Sequence, residues 1–236
     1  MIARLRSEAR EFGVALDDEA CSRFGAYLEL LLEASRHQNL TALRTAEAVV
    51  DRLFLDALAG VSLLGDESGD VIDVGSGGGI PGLVLAIAFP HRRIVLLDAN
   101  QKKVTFLREV ASKLALDAVE VRNARAEDVA RDPAAREQFG VATAKAVAHL
   151  RVLVEWLVPL VRSDGLVLCW KGPAARTEID EATAALAALG ATVARVVPYR
   201  LPDSEERFLV CVRRVGDVDV RWPRRAGMAL KRPLIT

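Results

Sequence analysis

The sequence predicts an α/β fold built from parallel βαβ units, and three observations predict it. From Val71 onward, short strand-like runs alternate with amphipathic helical runs. That alternation lays parallel strands side by side beneath covering helices. The first run, Val71 to Val74, ends in the turn Gly75-Ser-Gly-Gly-Gly79, after which Pro81 opens the apolar run 83–89. The second, Ile94-Val-Leu-Leu-Asp98, ends on a carboxylate. Ligands of such sheets sit beyond the carboxyl ends of the strands, so the residues closing each strand are the ones to inspect.

Residues 2–64 read as helical. Asp17 and Asp18 can cap a helix running to about Arg36, with Cys21, Phe24, Leu28, Leu31 and Leu32 at core spacing. A polar break, His37-Gln-Asn-Leu-Thr41, separates it from a second helical run over 45–59 carrying Val49, Leu53, Leu55 and Leu58. Strand-like runs then cover 71–74, 94–98, 119–122, 141–147, 166–171, 192–197 and 208–213, with helices at 83–89, 101–115, 149–162 and 174–188. Seven such runs imply a seven-stranded, mostly parallel sheet with helices on both faces. The expected organisation is an N-terminal helical extension (1–64), an α/β domain (65–215) and a basic C-terminal tail (216–236) packed on it. No repeat, low-complexity stretch or linker interrupts the chain.

Composition narrows the class. With 51% apolar and 27% charged residues the chain reads as an ordinary globular protein. Its formal net charge of zero exerts no overall pull on nucleic acid, so any such pull comes from local patches. Cys21, Cys169 and Cys211 lack CxxC spacing, and the three histidines share no ligand spacing, so neither a disulfide frame nor a metal site is expected. The first residues are too charged for a signal peptide, and the longest apolar run, 152–161, is broken by Glu155 and Pro159. A cytoplasmic monomer without membrane contact is the expectation.

The glycine turn carries two spacings at once. Gly77-x-Gly79-x-x-Gly82 fits a dinucleotide fingerprint, and Asp73-x-Gly75-x-Gly77-x-Gly79 fits the nucleoside loop of class I methyltransferases. Under either, Asp98 would accept hydrogen bonds from ribose hydroxyls; Asn100 can then cap the following helix and leave Asp98 free. After the third strand, a main-chain N–H and a side chain such as Glu127 could edge an adenine ring, although Glu127 and Asp128 equally fit first-turn acids favoured by the helix dipole. Lys145 closes an apolar strand run, where an unpaired ammonium is costly. It should therefore meet an anion, for example a cofactor carboxylate, the alternative being a snorkelling edge lysine.

The tail departs from the neutral whole. Between Arg213 and Arg232 seven basic residues (Arg213, Arg214, Arg221, Arg224, Arg225, Lys231, Arg232) face only Asp217 and Asp219, a net of +5. Trp222, Pro223 and Gly227 punctuate it. Such a segment suits phosphate contact and base stacking, or it is a solvated strap over the sheet. Arg36, His37, Asn39 and Arg44 cluster at the polar break, which reads as a capped helix–helix turn or a contact surface.

Taken together these pieces resemble the bacterial 16S rRNA guanine-N7 methyltransferases, the glucose-inhibited division protein B family. The matching pieces are Asn39-Leu-Thr41, Phe54-Leu-Asp56, the loop from Asp73 to Gly82 ending Ile-Pro-Gly, Leu97-Asp98 with Lys102-Lys-Val-Thr-Phe-Leu107, Ala126-Glu127, Ala144-Lys-Ala-Val-Ala148, Lys171-Gly172, and Pro223-Arg-Arg-Ala-Gly227 with Lys231-Arg-Pro-Leu234. They span nearly the whole chain in the family's order.

The resemblance implies a class I, Rossmann-like fold, S-adenosylmethionine as methyl donor and N7 of guanine 527, in the 530 loop of 16S rRNA, as acceptor. It implies Gly75, Ile80, Ala126, Glu127 and Lys145 as cofactor contacts, beside Asp73, Ser76, Gly77, Gly79 and Asp98 from the loop and second strand. Expected contacts to 16S rRNA or the small ribosomal subunit are Arg36, His37, Asn39, Lys171, Arg221, Arg224, Arg225, Lys231 and Arg232. The family usually has Arg where this chain has Lys145, a point charge in place of a fork. Its His-Phe-Leu-Asp-Ser-Leu stands here as Leu53-Phe-Leu-Asp-Ala-Leu58. N7 of guanine has a lone pair and no proton, so no general base is expected; proximity supplies the rate, up to about 7–11 kcal/mol. Two other readings stay open: an NAD-dependent oxidoreductase, and a non-catalytic RNA-binding assembly factor.

Overall fold

Helices fill the N-terminal part of the computed structural model, which describes residues 1–202 and 206–234. They are α1 (Ile2–Ala9), α2 (Asp18–Ala34), α3 (Ala46–Val49), a π-turn (Val50–Phe54), α4 (Leu55–Leu58) and α5 (Val61–Gly65). Asp17 starts α2 by accepting the Ala20 N–H at 2.7 Å, and Thr45 starts α3 by accepting the Ala48 N–H at 3.2 Å. The expected helix over 45–59 is thus one run of α, π and α turns.

Strands and helices then alternate: β1 (Val71–Val74), α6 (Gly82–Ala88), β2 (Ile94–Asp98), α7 (Gln101–Lys113), β3 (Val119–Asn123), α8 (Ala126–Val129), β4 (Phe139–Lys145), α9 (Leu150–Leu157), β5 (Val161–Lys171), α10 (Ala175–Glu181), α11 (Thr183–Ala188), β6 (Ala191–Tyr199), β7 (Arg207–Arg214) and α12 (Met228–Lys231). They form a seven-stranded sheet of order β3-β2-β1-β4-β5-β7-β6. β1 to β5 run parallel, and β7 lies antiparallel to both β5 and β6. The order reverses between β1 and β4, where Asp73 pairs with Thr143, so the ligand crevice of this topology opens beyond their carboxyl ends.

Successive strand residues face opposite cores, as the two-residue period requires. Val71, Ile94, Leu96, Val141 and Leu168 join α1 to α7, including Phe24, Tyr27 and Leu31 of α2. Ile72, Val74, Val95, Leu97, Ala142 and Val167 join α8 to α12. The N-terminal helices therefore contribute to one face's core.

Several boundaries differ from expectation: β4 covers Phe139–Lys145 in place of 141–147, β5 starts at Val161 in place of Leu166, and two helices are cut short. The helix expected over 149–162 ends at Leu157, because Pro159 cannot donate within a helix and sits in a 3-10 turn, Val158–Leu160. The helix expected over 174–188 divides at Ala182, where the Thr183 hydroxyl donates to the Asp180 carbonyl at 2.8 Å. Among the described residues no helix is long and apolar enough to cross a membrane.

Candidate active site

The turn after β1 is fixed from behind. Asp73 is fully buried; its Oδ2 accepts the Gly82 N–H at 3.1 Å and its Oδ1 accepts the Thr143 hydroxyl at 2.8 Å. Burial pushes this carboxyl up from 3.8 to about 6, against hydrogen bonds that pull it down. Asp73, expected among the cofactor contacts, thus braces the loop between β1, β4 and α6 from inside. The other end of the turn is held by the Gly75 N–H, which donates to the Leu97 carbonyl at 2.8 Å.

The glycines divide by role. Gly77 has φ +58 and room beyond its Cα, since an added Cβ meets nothing closer than 3.7 Å. Gly79, with φ +97, faces inward: a Cβ there would lie 2.3 Å from Leu83 and 2.6 Å from the Tyr27 hydroxyl. Gly79, also expected among the cofactor contacts, therefore lacks a Cβ because the interior leaves no room for one. A Cβ on Gly82 would meet Asp73 and Leu96. The dinucleotide spacing Gly77-x-Gly79-x-x-Gly82 accordingly reflects interior packing at two of its three positions.

Two compartments open on the outer side of the loop and share Gly75, Lys103 and Ala146. One, of about 330 Å³, is lined by Asp98, Ala126, Glu127, Val147 and Leu230 among others. The other, of about 190 Å³, is lined by Ser76, Gly77, Ile80, Leu40, Thr41 and Lys145 among others. Asp98 is not free in the sense expected. Its Oδ2 accepts the Gly77 N–H at 2.9 Å and its Oδ1 the Asn100 N–H at 2.8 Å, while Asn100 itself caps α7 through the Lys102 N–H at 2.9 Å. Each carboxylate oxygen keeps a second lone pair for a hydroxyl. Glu127 lines the larger compartment, is buried, and accepts the Gly227 N–H at 2.8 Å.

Lys145 meets an anion, as an apolar strand demands, but the anion belongs to the protein. Its Nζ lies 2.9 Å from Oδ2 of Asp56, a carboxylate with no exposed surface. Arg207 reaches the same oxygen at 3.1 Å, and the Tyr199 hydroxyl donates to Oδ1. Burial, and then the negative charge of Asp56, push the Tyr199 phenol up. The Trp170 indole N–H donates to the Asp56 carbonyl at 2.7 Å. This cluster borders a third cavity of about 410 Å³ beyond β4 and β5. Sequence reasoning gave Asp56, Trp170, Tyr199 and Arg207 no role. The one signal was a lone carboxylate inside the apolar stretch Leu55-Asp-Ala-Leu58.

The expected RNA contacts divide sharply. Lys171 is buried, with its Nζ 2.7 Å from Glu178 and 2.8 Å from the Ala148 carbonyl, so it belongs to the third cavity's wall and not to an outer surface. Arg224 grips buried Glu155 through its Nε at 2.9 Å and its Nη2 at 2.6 Å. Arg213 pairs with Glu67, and Arg214 is buried against Glu137 at 2.9 Å. Three of the seven tail cations are thus paired with carboxylates of the fold, Arg214 while buried and Arg213 and Arg224 while half-buried. Arg136 fastens the tail, donating to the Trp222 carbonyl at 2.6 Å and the Val218 carbonyl at 2.8 Å. Arg221, Arg225, Lys231 and Arg232 are exposed. Arg36 is exposed and paired with Glu33 at 2.9 Å. His37 and Asn39 line a groove of about 660 Å³ with Lys102 and Lys103.

Comparison with known proteins fits this geometry. The family model for GidB, rRNA small subunit methyltransferase G, matches residues 20–206. A ribosomal RNA small subunit methyltransferase G from Leuconostoc citreum is 38% identical over 231 residues, covering 97% of each chain. One from Roseiflexus sp. is 40% identical over 230 residues, covering 98% of each. Among solved structures, cofactor-bound Rv0187 from MTB superposes with a TM-score of 0.56 at 19% identity, covering 85% of this chain and 92% of that one. A predicted O-methyltransferase from Agrobacterium tumefaciens gives 0.54 at 20% identity, covering 69% and 80%. These structural likenesses are of fold alone, a Rossmann-like α/β sheet covered by helices. With its sequence matched nearly end to end, the chain belongs to the rRNA small subunit methyltransferase G family.

Proposed function

We propose that this protein moves a methyl group from S-adenosylmethionine to N7 of guanine 527 in the 530 loop of 16S rRNA. The observation that carries the reading is the cleft at the strand-order reversal, where an open glycine turn faces Asp98 and Glu127. The fit to the donor rests on chain chemistry. Asp98 offers acceptor lone pairs toward ribose hydroxyls, and Ala126 and Glu127 wall the compartment expected to take adenine. Gly75, Ser76, Gly77 and Ile80 border the narrower compartment, where no Cβ projects from Gly77.

When bound, the sulfonium supplies an electrophilic methyl: the N7 lone pair forms the new N–C bond as the S–C bond breaks, its pair goes to sulfur, and the positive charge passes to the base. N7 carries no proton, so the chain's residues need only orient the partners and exclude water, a proximity effect of up to about 7–11 kcal/mol. Exposed Arg225, Lys231, Arg232, His37, Asn39 and Lys102 supply the phosphate contacts, which position RNA without reading its sequence.

Incubating unmodified small-subunit RNA, naked or in subunits, with methyl-labelled S-adenosylmethionine and mapping the labelled base tests the reading. Label at N7 of guanine 527 is expected. RNA that is bound but never labelled would favour an assembly factor instead.

A further inference from the structure

We propose that the 410 Å³ cavity beyond β4 and β5 receives the acceptor guanine, flipped out of its loop, and that Lys145 reads its O6. This rests on the function proposed above and names the groove-edge chemistry of its substrate.

The argument starts from where Lys145 lies. It lines both this cavity and the narrow compartment beside the glycine turn, and Ala146 is the only other residue common to those two linings. Lys145 therefore stands at the doorway between the expected methyl donor and the cavity. The volume falls within the range of about 300–1,000 Å³ typical of small-ligand pockets. Trp170 and Tyr199 are among its lining residues, and pockets for flipped bases are lined by aromatic side chains.

The doorway's hydrogen bonding is one-sided. Asp56 has Tyr199 on one oxygen and both Lys145 and Arg207 on the other. Its side chain has no exposed surface, so its role is to hold Lys145 rather than to face a base itself. Lys145 is ion-paired with Asp56 at 2.9 Å, and an ammonium has three protons, so donors remain for an acceptor in the cavity.

A base presenting N7 through this doorway presents its neighbouring group to Lys145. In guanine that group is O6, an acceptor; in adenine it is an amino group, a donor. An ammonium held by a carboxylate donates to the first and is mismatched with the second. N7 alone is common to both purines, so the discrimination falls on the group beside it.

The test uses RNA stem–loops carrying guanine, inosine or 2-aminopurine at the target position. Inosine keeps O6 and N7; 2-aminopurine keeps N7 and has hydrogen in place of O6. For the wild type, kcat/KM for guanine and inosine is expected to agree within about threefold, with 2-aminopurine lower by roughly ten- to hundredfold. Lys145→Met should bring guanine's kcat/KM down to the 2-aminopurine level, and the drop should exceed whatever change calorimetry reads in the donor's dissociation constant. Lys145→Arg should retain the preference. If Lys145→Met keeps the full preference, or if its whole loss lies in donor affinity, the assignment is wrong while the methyltransferase reading stands. If Lys145→Met does not fold, the wild-type series decides: equal rates on guanine and 2-aminopurine overturn the proposal. A wild type that methylates no guanine N7 removes the functional reading, and this inference with it.

Discussion

Glu127 accepts the Gly227 N–H at 2.8 Å, so a residue in the wall of the larger compartment holds the turn from which α12 starts. Leu230 of that helix lines the same compartment. The basic segment and the cleft are therefore physically joined through one carboxylate. Replacing it (Glu127→Ala) removes a charged acceptor, a loss of about 1.5–3 kcal/mol to the local structure. Amide exchange at Gly227 should accelerate, and donor affinity by calorimetry should fall about tenfold, or 1.4 kcal/mol. Unchanged exchange at Gly227 would show that the tail is held elsewhere.

Gly77→Val probes the open side of the loop. The position has φ +58, which costs a residue with a Cβ about 1–2 kcal/mol. A drop of several degrees in Tm is expected with the fold retained by circular dichroism. Donor binding should be abolished, because the side chain projects into the narrow compartment. A variant that binds the donor normally would place the donor away from this turn.

Buried Asp73 gives stability a defined pH dependence. Its carboxyl is raised in the fold from 3.8 to about 6, so the folded chain holds this proton more tightly than the unfolded chain does. The contribution favours folding below about pH 4 and is lost as pH rises towards about 6, with a ceiling near 3 kcal/mol. Asp73→Asn cannot ionise. The stability difference between wild type and variant, from paired urea melts, should therefore shift against the wild type between about pH 4 and pH 6 and level off above. A difference that stays flat over that window would contradict the buried, raised carboxyl.

Arg224 and Arg225 are neighbours with opposite consequences. Arg224→Ala strands the buried Glu155 carboxylate and should cost about 3–5 kcal/mol of stability in denaturant unfolding. Arg225→Glu, at an exposed position, should leave stability unchanged, weaken RNA binding in a filter or anisotropy assay, and lower the salt slope by about one or more. Equal effects of both on stability would mean that the tail is not anchored through Arg224.

Much of the architecture is legible in the sequence because it follows from local periodicity. The alternating runs, the glycine turn, the Asp17 cap and the acid closing β2 each depend on residues a few positions apart. What the sequence hides is which charge meets which. Lys145 demands an anion, yet nothing local points to Asp56 in an N-terminal helix. Arg224 and Glu155 stand 69 residues apart, so a basic tail reads as a surface feature until the fold brings the carboxylate beneath it. Asp73 and Gly79 fit a cofactor spacing for a related reason: a loop shaped for a ligand also needs residues that brace it from inside, and both kinds share one motif.

The most direct test of the cleft is a crystal of the protein grown with S-adenosylmethionine. The account predicts the ribose hydroxyls on Asp98, the adenine between Ala126 and Val147, and the methyl directed past Ala146 toward the cavity holding Lys145 and Trp170. A donor bound anywhere else, or a methyl turned away from that cavity, would contradict it.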